Sequence, residues 1–278
     1  MQHAKSQPNH LICGDCLTEL PKLAGVACQL IYLDPPFNTN LRRVGDTGAQ
    51  QVTYSDSFGS PGDYVAYMHP RVTALQQTLA VDGSLFFHCD WRMSHHVRLM
   101  LDDVFCAAGG RGVFVNEIIW HYGLGAARAG RRLLSKHDVI FWYANSDQYT
   151  FNLLRAAPTQ AMQAKYRHVD EQGNHYMNSY GKRYLMKGGK PLDDVWDIPT
   201  ISPTSSERTG YPTQKPLALL NRIVQLATNP GDLVLDPFCG SGTTLAAAQK
   251  SGRVWIGIDA NPQAIEIARK RLEIGDDK

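Results

Sequence analysis

The chain has 278 residues, 43% of them hydrophobic and 19% charged, with a formal net charge of +2. These values fit one well-buried α/β core with room for an insertion, and they exclude disordered and fibrous classes. No apolar run approaches a bilayer span and the first ten residues are too polar for a signal peptide, so a soluble cytoplasmic protein with no membrane partner is expected.

In chain order, short apolar runs read as strands at 29–33, 84–88, 113–120, 139–143, 233–235 and 254–258. Their near-continuous hydrophobicity predicts burial on both faces. Pro70 interrupts the helical stretch 64–80, so that helix is expected to be kinked or to begin late. Leu217, Leu220, Val224 and Ala227 form one apolar helix face behind Pro216. Ile265, Ala268 and Leu272 form another, with Asn261 as cap and Pro262 in the first turn. Strands alternating with helices predict an α/β, doubly wound, mainly parallel sheet. Two segments break the alternation. Residues 38–62 are polar, carry four glycines and could close over a substrate. Residues 145–206 show no clear period and are rich in Tyr, His, Lys and Asn, and no internal repeat is present.

Charge is unevenly spread. Residues 121–190 hold eleven Lys or Arg against four acids, or +7, leaving −5 for the remainder. A basic centre on a mildly acidic body is the pattern of a phosphate-backbone contact surface, although surface charge is also asymmetric by chance. Six scattered cysteines do not make a disulfide frame and are expected as reduced thiols. Cys13 and Cys16 lack a second ligand pair, and His88, His95 and His96 fit a strand end running into a helix better than a cluster of ligands. No metal is expected, and residues 84–88 read as core.

Two short stretches carry chemistry. Asp34-Pro35-Pro36-Phe37 closes the first strand, and Asp236-Pro237-Phe238-Cys239-Gly240-Ser241-Gly242-Thr243-Thr244 closes a later one. Alone, the first could be a Pro-Pro turn with a core Phe. In the second, Gly240 and Gly242 stand where strand turns into helix, so the backbone can approach a ligand closely. It is neither G-x-G-x-x-G nor a Walker loop, which needs a lysine. Asp259 ends the next strand, placed to accept both hydroxyls of a ribose.

Together the two stretches resemble the D-P-P-[YF] and D-P-F-x-G-S-G-T motifs of amino-directed DNA methyltransferases. The catalytic motif comes first and a long variable segment separates the two, which is the β-group order. Tyr211 to Pro216 resembles the family's H-P-T-Q-K-P, and Gly14-Asp15 its short acidic motif. The resemblance covers nearly the whole chain except 145–206. It implies a Rossmann-like methyltransferase fold in three parts: residues 1–144 as catalytic half, 145–206 as target-recognition insertion and 207–278 as cofactor-binding half. S-adenosylmethionine is the implied cofactor, held by Asp236, Phe238, Gly240, Ser241, Gly242, Thr243 and Asp259, with Lys215 near its methionyl carboxylate and Asp15 at its adenine. Asp34 and the Pro35 carbonyl would accept the two hydrogens of an exocyclic amine. Pro36 stiffens the turn, and Phe37 would stack on a base flipped from double-stranded DNA. Arg128, Arg131, Arg132 and Lys136 are expected to follow phosphates, and 145–206 to read base edges.

Adenine N6 is the expected target. Cytosine N4 stays open, since those enzymes usually carry Ser-Pro-Pro-Tyr but the exchange is imperfect. A non-catalytic DNA-binding module of the same fold is the reading from another class, against which every cofactor and catalytic position is filled. Methylation of RNA or protein glutamine is disfavoured, because those enzymes place Asn-Pro-Pro-Tyr after the cofactor loop. A homodimer is expected from the β-group resemblance, which also leaves room for a cognate restriction endonuclease.

Overall fold

In the computed structural model, which describes residues 9–46, 51–107, 110–123, 131 and 133–274, the first strand is β1 (His10–Cys13). The four-residue helix α1 (Cys16–Glu19) follows it, and β2 (Cys28–Leu33) comes next. The hairpin β3 (Leu41–Asp46) and β4 (Gln51–Asp56) precedes α2 (Pro61–Thr78), β5 (Leu79–Asp90) and α3 (Ser94–Cys106). Then come β6 (Val113–His121), β7 (His137–Ala144), α4 (Gln160–Lys165), β8 (His168–Val169), β9 (His175–Ser179) and β10 (Lys182–Leu185). The chain closes with β11 (Val195–Asp197), α5 (Leu217–Ala227), β12 (Leu233–Asp236), α6 (Thr243–Lys250), β13 (Val254–Asp259) and α7 (Pro262–Arg271).

Eight strands form one sheet in the order β1-β13-β12-β2-β5-β7-β6-β11. Every pairing is parallel except the two made by β7. The doubly wound, mainly parallel sheet expected from alternation is therefore present. Leu30, Ile31, Tyr32 and Leu33 are all buried, as a central parallel strand requires, and each such side chain contributes roughly 1.5–3 kcal/mol by leaving water. All six cysteines are free thiols. Among the described residues no helix is long and apolar enough to cross a membrane.

Local signals explain the helix starts. Ser60 and Asp63 make a reciprocal capping box before Pro61, and Asn261 caps α7 by accepting from the Gln263 amide ahead of its last-turn Arg269, Lys270 and Arg271. The expectation of a late start for α2 is corrected: the capping box nucleates it nine residues before Pro70, which sits inside the helix. Within the polar segment 38–62, β3 and β4 pair with each other.

Two compact units emerge: Met1–Phe151 with Asp194–Lys278, and Asn152–Asp193. Residues 145–151 and 194–206 go with the large unit, since β11 extends its sheet on β6. The small unit is thus shorter at both ends than the segment 145–206. It contains α4 and the antiparallel sheet β10-β9-β8.

Candidate active site

Parallel pairing of β1, β13, β12, β2 and β5 brings their carboxyl ends to one edge, where open α/β sheets bind ligands. Asp15, Asp259, Asp236, Asp34 and Asp90 stand at or just past those ends. β7 runs the other way, so its start delivers Asp138 to the same edge, and β6 ends there beside Trp120 and Tyr122.

Two cavities open along this edge. The first, about 430 Å³, is lined by Asp15, Asp236, Phe238, Gly240, Ser241, Thr243 and Asp259 among others. The second, about 500 Å³, is walled by Pro35, Phe37, Trp91, Trp120, Tyr122 and Asp138. Asp34, Pro36, Thr213, Gln214 and Lys215 line both. The D-P-P-F turn is thus the partition between them.

Around the first cavity, Asp259 accepts the amides of Gly240 and Asn261, each at 2.8 Å. Burial raises its carboxyl above the ordinary value, and those two amides oppose the shift. Asp236 is fully enclosed and accepts from the Phe238 amide at 3.1 Å. Burial pushes its carboxyl up to about 7. Gly240 has φ +50°, and a Cβ there would stand 3.1 Å from the Tyr211 ring, so the loop stays open only with glycine. Gly242, which the resemblance counts with the binding residues, does not line the cavity. It caps α6 in the left-handed region, where a Cβ would meet that of Ala268 at 3.1 Å. Asp15 lines the cavity, but one of its oxygens takes the Leu17 amide at 2.9 Å and the other Arg71 at 2.6 Å.

At the partition, Lys215 Nζ lies 2.7 Å from Asp34 Oδ1 and 2.5 Å from Oδ2. The same ammonium sits 5.0 Å from the centre of the Phe37 ring, whose other neighbour is His88 at 5.4 Å. His88 is buried as expected of core, yet both its nitrogens are engaged. Nε2 faces Asp138 at 3.2 Å, and Nδ1 faces the Tyr32 hydroxyl at 2.8 Å and Asp34 Oδ1 at 3.8 Å. With Nε2–H donating to Asp138, Nδ1 is left to accept from Tyr32. Burial disfavours the charge on Asp138, but the His88 and Tyr122 hydrogen bonds and the Lys215 charge outweigh it and hold that carboxyl below its usual range. Sequence reasoning missed Tyr32, Asp138, Trp120 and Tyr122. Their only signal was a place near a strand end.

Arg131 is exposed, and Leu133, Leu134 and Ser135 beside it reach the second cavity, directly before Lys136. Arg128 and Arg132 lie outside the described residues.

The model of the N6/N4 DNA methylase family matches residues 28–270, an interval containing both motifs and both cavities' main walls. The chain belongs to the N6/N4 DNA methylase family. It is 30% identical over 274 residues to the protein named DNA adenine methyltransferase YhdJ of Escherichia coli K12, covering 95% of this chain and 82% of that one. To type II methyltransferase M.HpaI of Haemophilus parainfluenzae it is 27% identical over 264 residues, 95% and 74% of the two chains. Among solved structures, the M1.HpyAVI–SAM complex shares its fold with a TM-score of 0.65 at 20% identity, covering 95% of this chain and 99% of that one. The cytosine-N4-specific PvuII DNA methyltransferase does so at 0.62 and 14%, covering 98% and 89%. A methylase named for cytosine N4 thus shares this fold, and one named for adenine is similar in sequence.

Proposed function

We propose that the chain transfers a methyl group from S-adenosylmethionine to the N6 amine of an adenine flipped out of double-stranded DNA. The observation that carries this reading is the partition: one carboxylate, Asp34, faces both a glycine-looped cavity and an aromatic-walled one. A donor and an acceptor held in the two cavities would meet only across that turn.

The residues of the first cavity fit the cofactor. Asp259 presents a buried carboxylate for ribose hydroxyls, the Gly240 backbone allows close approach, and Asp236, Phe238, Ser241 and Thr243 line the remainder. Asp15 stands at the adenine end, with Arg71 orienting it. When bound, S-adenosylmethionine supplies an electrophilic methyl group on a sulfonium centre. The protein's task is to expose an amine lone pair to it. Asp34 and the Pro35 carbonyl accept the two amine hydrogens, which favours a pyramidal nitrogen, and Pro36 keeps the turn free of a competing N–H donor. Phe37 and Trp120 offer ring faces to the extruded base. Catalysis is positioning and charge stabilisation without a covalent enzyme intermediate. Lys215 pins Asp34 and keeps a third N–H for the cofactor's carboxylate end.

Asp at the first position of the turn favours adenine over cytosine, in keeping with the adenine methyltransferase name of YhdJ. Arg128, Arg131, Arg132 and Lys136 would follow phosphates. Residues of the small unit would read the sequence. Type II names among the relatives suit a paired restriction endonuclease, a homodimer is the proposed assembly, and the cytoplasm is the proposed location. The test is cofactor-dependent tritium transfer offered duplex DNA, RNA and protein in parallel. Label should enter duplex DNA alone, and label in RNA or protein would overturn the reading.

A further inference from the structure

Strands β9 and β10 are joined by only two residues, because Ser179 pairs directly with Lys182. Both linkers have positive φ, 49° at Tyr180 and 72° at Gly181. That is the type I′ pattern, whose twist matches the flanking strands and which accepts Asn, Asp or Gly without strain. Gly181 suits it. Tyr180 does not, and its side chain gains nothing from packing, since the residue is 100% exposed. An aromatic residue held in a disfavoured conformation without a protein partner suggests a use outside the fold.

Charge indicates what that use is. The small unit, 152–193, carries seven Lys or Arg against three acids. Asp170 and Glu171 occupy the turn at the far end of β9, which pairs with β8 through Val169↔His175. Lys182 and Arg183 follow Tyr180 directly, and Arg167, one residue before β8, falls level with Met177 on the Tyr180 side. Arg183 lies 4.2 Å from the centre of the Tyr176 ring, which fixes its direction. The Tyr180 end of the small sheet therefore carries Lys182 and an aromatic tip, while the other carries Asp170 and Glu171, with Lys187 following β10 there and the Arg183 charge reaching Asp170.

We infer that the Tyr180–Gly181 turn enters the major groove of the substrate duplex, with Tyr180 contacting base edges and Lys182 and Arg183 the flanking phosphates. This rests on the DNA methyltransferase reading above. A two-stranded ribbon is of the size the major groove admits, and a polyanion complements a unit with seven Lys or Arg against three acids, of which Asp170 and Glu171 lie away from the turn. The phenol brings a hydroxyl that both donates and accepts, and a ring face for a thymine methyl.

The test is Tyr180→Asn in the full chain, incubated with S-adenosylmethionine and a random-sequence duplex library whose methylated positions are then sequenced. Asn-Gly is the favoured I′ pair, so the variant should melt at or above the wild-type temperature. Its methylation rate at the wild-type consensus should fall about tenfold, or the consensus should relax at one position. Wild-type rate and consensus in the variant would overturn the inference while leaving the methyltransferase reading intact. An altered sedimentation coefficient with an unchanged methylation profile would make the turn a subunit contact and would also overturn it. Absence of methylation by the wild type would overturn the reading itself, and this inference with it.

Discussion

Lys215 and Asp34 stand 181 positions apart in sequence, yet the ammonium holds both carboxylate oxygens at 2.7 and 2.5 Å. The pair ties the segment before α5 to the turn after β2, so the partition between the cavities depends on both halves of the large unit. It also sets the direction of the carboxylate that the proposed chemistry needs.

Lys215→Met should therefore harm both stability and methyl transfer. Removing one partner leaves Asp34 unpaired and costs about 2–4 kcal/mol, less than the fully buried limit because Asp34 keeps 17% of its side chain in solvent. Urea denaturation measures the loss. The double variant Asp34→Asn with Lys215→Met should recover part of it, and strict additivity of the two single changes would show that the ion pair is not what couples them.

Asp236 predicts a pH dependence of stability. Its carboxyl is raised from 3.8 to about 7 by burial, so the folded protein holds a proton that the unfolded chain releases between those values. Stability from this group is fully present below about pH 4 and is lost as pH rises towards 7. Asp236→Asn keeps an acceptor for the Phe238 amide and removes the titration. Thermal midpoints from pH 5 to 8 should show the variant gaining on the wild type as pH rises, and parallel curves would contradict the assignment.

Much of this was legible in the chain. The run Leu30 to Leu33 announces a central strand because parallel strands are apolar on both faces, and the two motifs mark the ends of β2 and β12. β1 was not legible, since two of its four residues are exposed and the other two only half-buried, nor were β3 and β4, whose polar sequence pairs locally and not with the main sheet. His88 reads as core because it ends the apolar run 84–88. Only the fold shows that Tyr32 and Asp138 meet its two nitrogens. Contacts such as Lys215 to Asp34 depend on topology, which local spacing does not encode.

Asp259 holds the Gly240 and Asn261 amides and is proposed to hold the ribose as well. Asp259→Ala removes the acceptor proposed for ribose hydroxyls and also frees the Gly240 and Asn261 amides, so cofactor affinity should fall at least about tenfold, given roughly 1.5–3 kcal/mol for each hydrogen bond to a charged group. Asp259→Asn keeps one acceptor for the loop and should fall less. Calorimetry without DNA checks both, and unchanged affinity in the alanine variant would move the ribose contact elsewhere.

Arg131 and Arg132 test the division between positioning and reading. Changing both to Ala should weaken binding about equally for preferred and scrambled duplexes, and should reduce the slope of log affinity against log salt by about 2. Relaxed sequence preference at unchanged non-specific affinity would show instead that these arginines read bases.

Methyl transfer to adenine N6 is proposed to occur at the turn that begins with Asp34. Nucleoside mass spectrometry of duplex DNA, after incubation with the protein and methyl-deuterated S-adenosylmethionine, measures it directly. The wild type should yield deuterated N6-methyldeoxyadenosine, and Asp34→Ala should yield none while still binding the cofactor within a few fold. N4-methyldeoxycytidine as the product, or full turnover in the alanine variant, would contradict the account.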